Sequence, residues 1–239
     1  MRRFRFVLWF LFALGLGTGS AQASRLSHAI VLVGNIDSAR KSFAQAGFSV
    51  TPARAIDNGL VHAIVPFADG TFLELLGAVP RSPYANAIAR FASSGAAFSA
   101  GGYEVADVAA ERARLLGLGF GLEPLDFEAH WIDLDFSDTR LFNPFFIFQY
   151  RHQPPESYRQ RYAAYLHHPN GANGLRGIIV AAEPQSGAAA AYARAGLTGV
   201  TVDERGAGDA RIVVAELATS DPGRKGSRLS IDRCRFSFR

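Results

Sequence analysis

Three stretches of this chain share one punctuation: an apolar strand, a capping residue, a short helix closed by glycine, then further strands. They read LSHAIVLVGNIDSARKSFAQAGF from Leu26, AAFSAGGYEVADVAAERARLLGLGF from Ala96 and GLRGIIVAAEPQSGAAAAYARAGL from Gly174. The caps fall at Asp37, Asp107 and Ser186, and the closing glycines at Gly47, Gly117 and Gly196. Both sets step by 70 and then by 79 residues. A cap oxygen satisfies orphan N–H groups at a helix start, and glycine relieves left-handed strain past its end. The runs that follow each helix read as strands, among them LVHAIVPFA and TFLELLGAV in the first unit and HWIDLDF and PFFIFQYR in the second. Each unit is therefore read as β-α-β-β with a further strand. One such unit cannot cover both faces of its sheet, so units are expected to pair.

The predicted class is α+β, built from repeated βαβββ modules. Residues 24–151 hold two paired modules, 152–173 a polar and aromatic connection, and 174–239 a degenerate third unit. Residues 1–23 read as a bacterial-type signal peptide: MRRFR, an apolar run from Phe6 to Gly17, and a small-residue site ending at Ala23. The run is shorter than the roughly 20 residues needed to span a bilayer. Cleavage after Ala23 and an exported, periplasmic or secreted protein are expected, with no membrane attachment afterwards. The formal charge of +4 owes three of its cations to Arg2, Arg3 and Arg5. The remainder is near neutral, which excludes a polyphosphate footprint and hence a nucleic-acid partner. Cys234 is the single cysteine, so no internal disulfide can form, and it reads as a small apolar strand residue.

No HExxH, CxxC, GxSxG or P-loop pattern is present. What stands out is His28 inside the first apolar strand and Glu74 inside TFLELL. An ionised carboxylate in an apolar strand is costly unless it is paired, protonated or bound to a cation. Two such groups on one small sheet are able to converge on Fe, Mn, Ni or Zn. The alternative is a satisfied histidine, with Glu74 paired to an arginine or open to a cavity.

The stretches LSHAIVLVGNIDSARKSFAQAGFSV and IVPFADGTFLELLGAV resemble the glyoxalase-like proteins of the vicinal oxygen chelate superfamily. PFFIFQY and HHPNGANGLRGIIVAAEP look like later segments of that group. The resemblance implies the glyoxalase/bleomycin-resistance/dioxygenase-like fold, whose paired modules enclose a cleft. In its metal-dependent members each module gives one ligand from its first strand and one from its last. Carried over by position, His28 and Glu74 match the ligands of the first module, with Glu74 also the candidate catalytic base. The 70-residue step puts Phe98 opposite His28, and Gln149 is the best match in the second module's last strand. The implied ligand set is therefore His28, Glu74 and Gln149, with one divalent metal or none. His62, Phe98, Tyr103, Trp131 and His168 are candidate lining residues.

Three readings follow. The first is an exported enzyme that acts on a small oxygenated molecule by lyase, isomerase or dioxygenase chemistry. The second is a metal-free protein that binds or sequesters a small molecule on the same scaffold, and the third a structural role for the extra unit. A monomer or a homodimer is compatible with all three.

Overall fold

A computed structural model describes residues 24–56, 59–152 and 157–239. The expected signal peptide, residues 1–23, lies outside them. The first unit runs β1 (Arg25–Leu32), α1 (Ile36–Gln45), β2 (Arg54–Ile56), β3 (Leu60–Pro66) and β4 (Phe72–Ala78). A short helix, α2 (Ala85–Phe91), leads to the second unit. That unit comprises β5 (Ala97–Glu104), α3 (Val108–Gly117), β6 (Asp126–Phe127), β7 (Trp131–Asp135), the single turn α4 (Thr139–Phe142) and β8 (Phe145–Tyr150). Together they make one eight-stranded sheet in the order β2-β3-β4-β1-β5-β8-β7-β6. Each first strand lies parallel to its own last strand, and the two first strands pair antiparallel at the centre.

The structure corrects the spacing between the modules. Asn35, not Asp37, caps α1: its side chain accepts the Ser38 N–H at 2.9 Å. Asp37 sits in the first turn and pairs with Arg40. Asp107 caps α3 as expected. The left-handed glycines after the two helices are Gly47 (φ 84°) and Gly119 (φ 81°), whereas Gly117 ends α3 itself. Cap and glycine now step by the same 72 residues. The central pairing obeys that step: Ala29 faces Gly101, its own counterpart, so a pseudo-twofold axis passes between them. His28 faces Gly102, and their counterparts Ala100 and Ile30 face each other in turn.

The remaining chain comprises α5 (Tyr158–Tyr162), a 3-10 turn (Ala163–Tyr165), β9 (Ala172–Ala181), α6 (Ala188–Ala195), β10 (Val200–Asp203), β11 (Arg211–Thr219), β12 (Arg228–Ile231) and β13 (Cys234–Phe238). These last five strands form a second sheet ordered β10-β9-β11-β13-β12. Its connectivity departs from βαβββ. β10 lies parallel beside β9, β13 lies parallel beside β11, and β9 pairs with β11 antiparallel. The sheet is thus centred on an antiparallel pair, as the large sheet is on β1 and β5, and each half has fewer strands than a βαβββ module. Gly187, rather than Ser186, occupies the N-cap of α6.

The two faces of the large sheet have different fates because side chains alternate along a strand. Ala29, Val31, Leu73, Leu75, Leu134 and Ile147 point to the back and are fully buried. The helices and the small sheet cover that face: Phe236 of β13 packs its ring against Phe43 of α1 and Phe98 of β5. Burying such rings contributes about 1.5–3 kcal/mol each, so the small sheet closes the core of the large one. The front face is left as a concave wall.

Candidate functional site

The front wall lines a cleft of about 890 Å³, the size of a pocket for a drug-sized molecule. His28 reaches it by way of a register shift. Leu26 pairs with Tyr103 and His28 with Gly102, which leaves Ser27 in a bulge. Leu26 therefore stays on the back, beside Ile178 and Gly101, and His28 turns to the front. Its ring stacks on Phe72 (4.4 Å between centroids, 6° between planes) and meets the edges of Phe146 and Phe148. Gly102 makes room for it: a β-carbon there would lie 2.4 Å from Cε1 of the imidazole. Burial pushes the His28 imidazole down to about 4, against a smaller opposing pull from Glu74. The ring is neutral at any ordinary pH, and its buried Nδ1 has no hydrogen-bond partner.

Glu74 stands one strand away. His62 Nδ1–H donates to Glu74 Oε1 at 2.7 Å, while Oε2 lies 3.9 Å from His28 Nε2. The His62 contact follows from the ladder. β3 and β4 pair Ile64 with Glu74 and His62 with Leu76, so His62 is the diagonal neighbour of Glu74 on the same face. The opposite wall comes from the second module. Trp131 Nε1–H donates to Asp133 Oδ2 at 2.9 Å, and Asp133 Oδ1 is buried without a partner. Burial raises the Asp133 carboxyl to about 7, reinforced by Asp135, Asp126 and Glu128 and opposed by the indole. Leu76 and Phe148 are counterparts at the 72-residue step, and Asp133 pairs with Phe148 as His62 pairs with Leu76. The strand pairing therefore makes Asp133 the counterpart of His62, 71 residues on. Sequence reasoning missed it. The alternation in HWIDLDF was available, but it does not say which face meets the cleft.

Other candidates lie elsewhere. Gln149 points away from the cleft, and its Oε1 accepts the Val108 N–H at the start of α3. A register shift leaves Ser99 unpaired and turns Phe98 to the back, against Phe236. Tyr103 is also in the back core, its hydroxyl donating to the Thr198 carbonyl. His168 is a strut: Nδ1 accepts the Ser49 N–H and Nε2–H donates to the Pro66 carbonyl, both at 2.9 Å. His62 and Trp131 do line the cleft. Tyr158, unremarked in the sequence, ties the connecting segment to the cleft's edge by donating to the Thr71 carbonyl at 2.8 Å.

These positions decide whether a metal fits. The counterparts of His28 and Glu74 at the 72-residue step are Ala100 and Phe146, neither of which ligates through its side chain. The nearest donor, His62 Nδ1, is already engaged by Glu74. Among the described residues no three His, Cys, Asp or Glu side chains are arranged to hold a metal ion. The residues present do not fit the two-module ligand set.

Among solved structures, a hypothetical protein from Staphylococcus aureus matches with TM-score 0.64 and 11% identity, over 90% of this chain and 98% of that one. That span is too long to omit the second sheet, so the two-sheet fold is shared. A methylmalonyl-CoA epimerase from Mycobacterium tuberculosis aligns with TM-score 0.42 and 18% identity, over 54% of this chain and 88% of that one. A hypothetical protein from Bacillus halodurans aligns with TM-score 0.45 and 14% identity, over 57% and 100%. Comparison with curated proteins finds no match. The family model described as a glyoxalase-like domain matches residues 26–196. With well over half of its length inside that model, and with paired βαβββ modules around a cleft, the chain belongs to the glyoxalase-like domain family.

Proposed function

We propose that this chain is an exported member of the family that binds a small oxygenated molecule in the front cleft and moves a proton on it through Glu74. One observation carries the reading: His28, His62 and Glu74 converge on a largely apolar wall of aromatic and aliphatic side chains. A carboxylate with one oxygen held by an imidazole and the other toward the cavity has the arrangement of a general base. His62 is then a positioning residue that fixes the orientation of the carboxylate. Aromatic walls exclude water and hold the apolar part of the ligand. A second reading, binding without chemistry, is favoured by the lack of a titrating group on the second module at the counterpart of Glu74, which is Phe146.

The test uses a panel of enolisable ketones, hydroxy acids and phenols. Ligand binding is followed by thermal shift, and exchange of acidic C–H groups in heavy water by proton NMR. Saturable binding with exchange slowed at least 100-fold in Glu74→Gln is the expected result. Binding without exchange leaves the sequestering reading, and no binding of any panel member overturns both. Export is tested by the N-terminus of the mature protein, expected at Ser24.

A further inference from the structure

We infer that the gap between His28 Nε2 and Glu74 Oε2 is a slot for one neutral hydroxyl oxygen of the ligand, and that it works without a resident divalent metal. The inference rests on the cleft reading above and names the group the cleft recognises.

The geometry distinguishes the occupants. Nε2 and Oε2 are 3.9 Å apart. An oxygen at about 2.8 Å from each subtends an angle of about 90°, which suits two hydrogen bonds to one hydroxyl. A metal at about 2.1 Å from each would need an angle of about 135°, too wide for tetrahedral or octahedral coordination. The two framing atoms are also complementary. Leaving an N–H unpartnered in the core costs more than leaving a lone pair there. The orphaned Nδ1 therefore carries the lone pair, and the proton sits on Nε2, facing the gap. The low pKa of the ring keeps it neutral. One atom of the frame donates and the other accepts, and a single hydroxyl satisfies both at once. A bare carbonyl or ether oxygen satisfies His28 alone and leaves Oε2 without a donor.

His62 engages the other oxygen of Glu74. Its N–H at 2.7 Å holds the oxygen of Glu74 that faces away from the slot. Phe146, at the counterpart of Glu74, presents a ring edge to His28 where a second module's ligand would stand. The second module thus seals the slot with hydrocarbon and confines it to one small group.

The experiment uses the mature protein expected to begin at Ser24, in which Trp131, on the cleft wall, is the sole tryptophan. Its emission is titrated with phenol and with anisole, the same ring with the hydroxyl methylated. Phenol is expected to bind at least tenfold more tightly, and that preference is expected to vanish in Glu74→Leu and in His28→Leu. Glu74→Gln, which preserves size and polarity, serves as the second variant if Glu74→Leu does not fold. Protein purified without chelators is expected to hold well under one equivalent of Fe, Mn, Ni, Cu or Zn. Equal binding of phenol and anisole overturns the slot while leaving the cleft reading in place. One equivalent of metal, lost in His28→Leu and Glu74→Leu, overturns it as well. If neither probe perturbs Trp131, the slot and the cleft reading fall together.

Discussion

The two modules that enclose the cleft share a backbone and divide the chemistry unequally. Strand order, helix placement and a 72-residue step are common to both. Yet His28, His62 and Glu74 all come from the first module, and the second answers with Ala100, Asp133 and Phe146. At the axis the inequality becomes physical: the His28 ring crosses into space that a β-carbon on Gly102 would need. Pseudo-symmetric backbone therefore does not imply pseudo-symmetric function. Once one half places a large polar ring at the axis, the other half must yield volume there.

The largest expected effect tests the polar half. The His28 imidazole has its pKa lowered from 6.5 to about 4 by burial. Below pH 6.5 the unfolded chain takes up a proton that the folded chain refuses. Folding stability should therefore fall by about 3 kcal/mol between pH 6.5 and pH 4, and be unaffected by this group above pH 6.5. Denaturant midpoints across that window should show a shallower acid loss in His28→Leu than in the parent. An identical slope in the two proteins would mean that the ring is solvated and the aromatic box open.

The next effect tests the yielding half. Gly102→Ala places a β-carbon 2.4 Å from His28 Cε1 and 2.8 Å from Phe146 Cζ. Overpacking of this kind costs about 1–3 kcal/mol. The cost should largely disappear when His28→Ala is already present, giving a coupling in a double-mutant cycle on thermal unfolding. Additive losses would show that Gly102 is needed for its backbone and not for the space it leaves.

The same comparison explains what was legible beforehand. The modular fold could be read because strand alternation and helix punctuation are local, and because both modules repeat them. The exact step could not. The segment before α1 offers two residues able to cap, Asn35 and Asp37, and the segment after α3 offers two glycines, Gly117 and Gly119. Only the hydrogen bond at Asn35 and the left-handed φ at Gly119 choose between them. That error of two residues put Phe98 where Ala100 stands. Bulges at Ser27 and Ser99 compounded it, since each reverses the facing of the strand beyond it. His28 and Glu74 were visible because polar groups in apolar strands are conspicuous. His62 was underrated because its importance lies in a diagonal cross-strand contact. His168 was overrated because both of its ring nitrogens are spent on backbone partners.

The smallest expected effect contrasts the modules by sign. Asp133, counterpart of His62, has its carboxyl raised from 3.8 to about 7, chiefly by burial and then by the neighbouring acids. A raised acid stabilises the folded chain fully below pH 3.8, and that contribution is lost as pH climbs through 7. Asp133→Asn should therefore tilt the pH dependence toward greater relative stability at pH 8. His28→Leu should tilt it the other way, by removing an acid-side loss. Asp133 is partly exposed, so solvent screening makes its slope the shallower of the two. Urea midpoints of the two single variants at pH 4.5, 6 and 8 separate the contributions. If both variants change the profile in the same direction, the cleft does not hold a neutral imidazole on one wall and a reluctant acid on the other. The division of chemistry between the modules would then have to be redrawn with Asp133 ionised beside Trp131.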